Sequence, residues 1–150
     1  MAKAEEWITE GAKEHLEAGE EVLVALVAQP RGHTQAVAGN LPLGDAKEAR
    51  NVAAGEHAGF ALESPMALAL TPRRLIAFSI SNPVGMGVSG KVKGVLSSAP
   101  IADVDAIEVK RLLMGARITL TVRGVEMKLE AGAGAKAKPL SEEFQRLKSS

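Results

Sequence analysis

Between Met66 and Ser81 the chain reads MALALTPRRLIAFSIS, and no other stretch limits the fold as much. Met66, Leu68 and Leu70 alternate with Ala67 and Ala69, the period of a β-strand. Thr71-Pro72-Arg73 supplies a polar turn, and Leu75-Ile76-Ala77-Phe78 carries a second strand. The stretch predicts a hairpin. It carries no chemistry of its own.

The same period recurs downstream. Ile118, Leu120 and Val122 alternate with Thr119, Thr121 and Arg123. Gly124 permits a tight turn, after which Val125, Met127 and Leu129 alternate with Glu126, Lys128 and Glu130. That pattern predicts a second hairpin with one face in a core and one in water. Three further strands are expected over Glu21–Gln29, Val95–Ile101 and Ala106–Leu112, with Asp103 and Gly115 at turns. Residues 3–18 read as a helix, with Ala4, Ile8, Ala12 and Leu16 on one stripe, Trp7 beside it and Gly19 as its cap. Residues 30–65 form an insertion after the first strand. Within it Asp45-Ala46-Lys47-Glu48 has the form of a capping box, predicting a helix from Ala46 to about His57 that ends at Gly59. Asn82–Gly94 is a glycine-rich loop. Pro139–Lys148 closes as an amphipathic helix with Leu140, Phe144 and Leu147 on one side.

At 150 residues this is read as a single domain, large enough to bury roughly 70% of its unfolded surface without staples. There are no cysteines, which removes disulfides, thiolate metal sites and a cysteine nucleophile. Eighteen bases balance eighteen acids, so the basic excess of a nucleic-acid binder is missing. The longest apolar run, Val22–Ala28, is too short to span a bilayer. The opening MAKAEEWITE lacks an apolar signal region, and a cytoplasmic protein is the expectation.

Seven strands followed by one amphipathic helix make a mainly β chain, α+β by content. Its two outer edges call for closure into a barrel, or two packed antiparallel sheets, with the last helix as plug and Phe144 at its centre. Three sequence features sharpen this. ALALTPRRLIAF resembles the L-T-x-x-R-L hairpin of the bacterial pleckstrin-homology-like (PH-like) domains. Gly19-Glu20 resembles the G-E that opens their first strand, and Pro100-Ile101-Ala102-Asp103-Val104 their P-L-x-D-V segment. The resemblance runs from about Gly19 onward. It implies a seven-stranded PH-like barrel capped by the C-terminal helix, with the insertion placed where ligand-binding members carry a lipid-contacting loop.

Gly85-Met86-Gly87-Val88-Ser89-Gly90-Lys91-Val92 satisfies G-x-G-x-x-G and comes close to a P-loop. Both motifs work by opening a helix whose amides hold phosphate. A strand-like segment follows here, and Val92 stands where a P-loop needs Ser or Thr, so a plain hairpin loop is the better reading. Lys91 and Lys93, with Arg31 near the end of the first strand, are the candidate ligands for an anionic headgroup. Two lysines contribute only about 1 kcal/mol each at a charged surface, and ordinary solvated lysines compete with that role. His15, His33 and His57 lack metal-site spacing, and no metal or cofactor is implied. Asp103 and Asp105 at a turn are expected to bond their own backbone. Arg73-Arg74 is expected to brace turn carbonyls or a carboxylate. G-x-S-x-G is absent, and no residue is assigned a catalytic role. The function expected is a non-enzymatic module for protein contact or self-association, with a membrane-surface or anionic-lipid module as the alternative.

Overall fold

The computed structural model describes residues 4–30, 52–63, 66–81, 91–113, 115–131 and 137–149. Among the described residues the protein is mainly one seven-stranded antiparallel sheet accompanied by three helices. Helix α1 (Ala4–Ala12) leads through a 3-10 turn (Lys13–His15) toward β1 (Val24–Pro30). Helix α2 covers 52–58. Then come β2 (Met66–Leu70), β3 (Arg74–Ile80) and β4 (Val92–Pro100). A second 3-10 turn (Ile101–Asp103) hands over to β5 (Val104–Leu112), β6 (Gly115–Val122), β7 (Val125–Ala131) and helix α3 (Lys138–Ser149).

The strand order is β4-β3-β2-β1-β7-β6-β5. The pivot is Ala28 in β1, which pairs with Met66 on one side and Ala131 on the other. Alternate residues of every strand meet in one core. Val24 and Leu26 of β1, Leu68 of β2, Leu75 of β3, Ile107 of β5, Leu120 of β6 and Met127 of β7 all belong to it. A continuous sheet brings its two halves to one core only by bending over on itself. Phe144 of α3, 1% exposed, sits in that core with Leu140, as the closing helix was expected to do.

The other alternate residues of β1–β4 are buried too. Ala25, Ala67, Ala69, Ile76, Phe78, Ile80 and Val92 pack under Ile8 and Ala12 of α1. The alanines at 25, 67 and 69 are small enough to let a helix lie close. Gly11 makes the closest approach, since a Cβ there would stand 2.8 Å from Val92 Cβ. This half of the sheet is therefore covered on both faces. The β5–β7 half shows the expected alternation, apolar inward and polar outward.

Several boundaries move. Helix α1 ends at Ala12 and its 3-10 extension at His15, short of the expected residue 18. Leu16 is already extended at ψ 152°. Gly19, with φ +79°, does not cap that helix; it lies in the turn that Glu20 N–H closes onto the Glu17 carbonyl at 3.0 Å. Gly59, with φ +74°, does end α2, where Phe60 N–H reaches the Gly55 carbonyl at 2.8 Å. Strand β4 starts at Val92 rather than Val95. Register shifts between Ala77 and Phe78 and between Ser79 and Ile80 make Leu96 and Lys93 bulge residues, which scrambles the period that would reveal the strand.

Among the described residues no ladder joins β4 to β5, so the outer strands are managed without hydrogen-bonded closure. The bulges blunt β4, and α3 packs most closely beside β5. The capping box at Asp45–Glu48 and the glycine-rich run 82–90 lie outside the described residues.

Candidate functional site

Among the described residues the densest polar constellation is buried beneath the β2–β3 turn. Glu20 places its side chain there with no exposure. Its Oε1 accepts from Arg74 Nη2 at 3.0 Å and from Glu17 N–H at 3.0 Å. Its Oε2 accepts from Arg74 Nε at 3.0 Å and from the Thr71 hydroxyl at 2.7 Å. Thr71 Oγ1 in turn accepts from the Arg73 and Arg74 amides at 3.2 and 3.1 Å. Arg74 Nη2 also donates to the His15 carbonyl at 3.1 Å, and Arg73 Nη2 to the Ala18 carbonyl at 3.0 Å.

This is a fork-to-fork arginine–carboxylate pair, the strongest geometry available to two side chains. The Arg74 guanidinium holds the Glu20 carboxyl at about 2, against burial that pushes it up, with Glu17 N–H and Thr71 adding to the downward shift. Arg74 is raised by the same bond. The pair ties the chain leaving α1 to the hairpin. Both arginines brace carbonyls or a carboxylate, as the sequence predicts.

A second polar knot stands at the β6–β7 turn. Val122 pairs with Val125, leaving Arg123 and Gly124 as a two-residue loop with φ of 50° and 80°. Both positive values match a type I′ hairpin. Asp105 is the extra residue of a bulge in β5, and its Oδ2 accepts from Gly124 N–H at 2.7 Å. Asp103 accepts from Arg123 Nη2 at 3.0 Å, and Arg123 Nη1 donates to the Ala58 carbonyl at 2.8 Å. The two aspartates thus bind the neighbouring hairpin rather than their own backbone. The bulge aims Asp105 away from its own turn, which spacing alone cannot reveal.

The residues singled out for an anionic ligand do not converge in what is described. Lys91 and Lys93 are exposed on either side of buried Val92, where β4 begins. Lys91 N–H donates to Ser81 Oγ at 2.8 Å and its carbonyl accepts from Ser81 N–H at 2.8 Å, closing the neck of the glycine-rich segment. Arg31 and His33 lie outside the described residues. His57 is exposed, and the His15 ring stands 5.9 Å from the Phe78 ring. Among the described residues no group of three or more His, Asp and Glu is placed to hold a metal ion. No helix among them is long and apolar enough to cross a membrane.

One surface feature escaped the sequence reading. The β5–β6 hairpin ends in Leu112, 39% exposed, and Leu113, fully exposed at 101%. Lys110 and Arg111 precede them, and Arg117 stands opposite Lys110 across the ladder. The signal was present: two consecutive leucines before a turn glycine break the alternation of Ile107 and Val109.

Against known proteins, the chain matches no protein-family model and no curated protein.

Proposed function

We propose that this chain is a non-enzymatic interaction module with a PH-like fold. The fold half of the reading is supported by the strand order β4-β3-β2-β1-β7-β6-β5, in which β1 bridges a four-stranded and a three-stranded half. It is supported as well by a C-terminal amphipathic helix set into the core through Phe144. The residues behind the motif resemblance also act as a unit, because Glu20 of the G-E pair bonds Thr71 and Arg74 of L-T-x-x-R-L. The Glu20 carboxyl, lowered, and the Arg74 guanidinium, raised, are spent on each other.

The functional half rests on one observation. Leu113 stands fully in water at a hairpin tip, where folding gains nothing from it, with the partly exposed Leu112 beside it. A protein partner or a second copy of the chain covers them in the first form of the reading. Strand-edge pairing is the weaker mode, since β4 is bulged and α3 lies beside β5. Light scattering over a range of concentrations tests this. The wild type is expected to gain mass with concentration, and a Leu112→Ser/Leu113→Ser variant with unchanged circular dichroism to stay at monomer mass. A wild type fixed at monomer mass removes self-association from the reading. The second form, docking at an anionic lipid surface, is favoured by the bases beside the leucines.

A further inference from the structure

We infer that the occupant of the β5–β6 tip is an anionic lipid surface, with Leu112 and Leu113 entering the bilayer interface and Lys110, Arg111 and Arg117 meeting the phosphates. This rests on the reading that the chain works by surface docking, and it names the partner.

The first argument is the arrangement of apolar and basic residues. The hairpin ladder runs without a break from Ala106↔Thr121 to Leu112↔Gly115, so paired strand carries the chain up to Leu112. Leu113 contacts nothing that would account for it in the fold, being fully exposed. Lys110 lies three residues behind Leu113, about 10 Å along a strand. An amphipathic element lodged at the headgroup–acyl boundary buries its apolar part to a similar depth of roughly 5–10 Å. Leucines at that depth leave the long basic side chains level with the phosphates, their alkyl stems against the lipid.

The second argument is charge that the fold does not use. Lys110 and Arg117 are direct cross-strand partners, and like charges so placed weaken a ladder. Among the described residues none of Lys110, Arg111 and Arg117 forms an ion pair. The Arg117 Nε is buried without an acceptor. Glu108 is one alternation further from the tip and Glu130 one strand over, opposite Arg117. Three bases therefore gather at the leucine end of a chain whose net charge is zero.

Alternative partners fit less well. A single-stranded nucleic acid asks for stacking aromatics, and the tip has none. A duplex is held by many phosphate contacts, and the tip offers three bases. A protein partner must bring a pocket shaped to a convex pair of leucines, whereas a bilayer accepts them in any register.

Co-sedimentation with vesicles tests the assignment. The probes are phosphatidylcholine vesicles and vesicles containing one third phosphatidylserine, at low and at physiological salt. The wild type is expected to pellet with the anionic vesicles, less so as salt rises, and not with the neutral ones. Leu113→Glu is expected to lower vesicle affinity at least tenfold. Each of Lys110→Gln and Arg111→Gln is expected to lower it about fivefold. Trp7 fluorescence and circular dichroism check that each variant is folded. Absence of pelleting with anionic vesicles overturns the inference, as does pelleting that survives all three tip substitutions and is lost in Lys91→Glu/Lys93→Glu. Tip variants that alter light scattering while no vesicle binds overturn the lipid assignment and leave the docking module standing.

Discussion

Protonating Glu20 would leave Arg74 holding a neutral acid in a site built for an ion pair. The Glu20 carboxyl titrates at about 2 in the fold against an ordinary 4.5, so its contribution is complete above pH 4.5 and is lost as the pH falls toward 2. The shift corresponds to a contribution on the order of 3 kcal/mol. Urea unfolding at pH 7, 4 and 2.5 should show stability falling across that window. The slope should be smaller in Glu20→Gln, which has no carboxyl there to titrate. At pH 7 the same variant should be less stable by about 3 kcal/mol, because a largely buried guanidinium loses its counter-charge. The β6–β7 turn gives a smaller, local prediction. Gly124 has φ +80° with open space around it, so Gly124→Ala meets only backbone strain and should cost about 1–2 kcal/mol in the same unfolding measurement.

Among the elements, α1 depends on the absence of a side chain. Alanine is a better helix former than glycine by about 1 kcal/mol, yet Gly11→Ala drives a methyl to within 2.8 Å of Val92. Overpacking of this kind costs about 1–3 kcal/mol, so the steric effect should win and lift α1 from the sheet. Trp7, the only tryptophan in the chain, reports on it directly. Its emission should shift to the red in Gly11→Ala while the β-sheet circular dichroism is retained. This contact also marks where the sequence stops being informative. Strict alternation revealed β2, β6 and β7, and Leu140, Phe144 and Leu147 revealed α3. Alternation could not show that Ala25, Ala67 and Ala69 face a helix, because small residues look alike toward solvent and toward a close-packed neighbour. The bulges at Lys93 and Leu96 hid the start of β4, and the bulge at Asp105 hid that carboxylate's true partner. Glu20, Thr71 and Arg74 were visible as motif residues. Their mutual bonding was not, since about fifty residues separate Glu20 from Arg74 and only the fold brings them together. The leucine tip was legible in principle and went unread as the end of a strand.

For the molecule as a whole, Phe144 is the residue on which both halves of the sheet rely. Removing its ring should cost about 3–5 kcal/mol, and the loss should be shared, because one core receives side chains from all seven strands. Phe144→Ala should therefore lower the urea midpoint by the same amount whether unfolding is followed by Trp7 over β1–β4 or by amide exchange in β5–β7. Leu113→Glu should leave that midpoint unchanged, since Leu113 is fully exposed and outside every packed cluster. The double pairing of Ala28 carries a further consequence, for the order in which the structure is made. Its partner Met66 leaves the ribosome early, so the β1–β4 half can zip as it is synthesised. Its other partner, Ala131, arrives about a hundred residues after it, a long loop to close and a slow one. Until then β1 waits with one side unpaired. That interval, rather than the finished fold, is when a chain of this topology is most exposed to pairing with a neighbour emerging beside it.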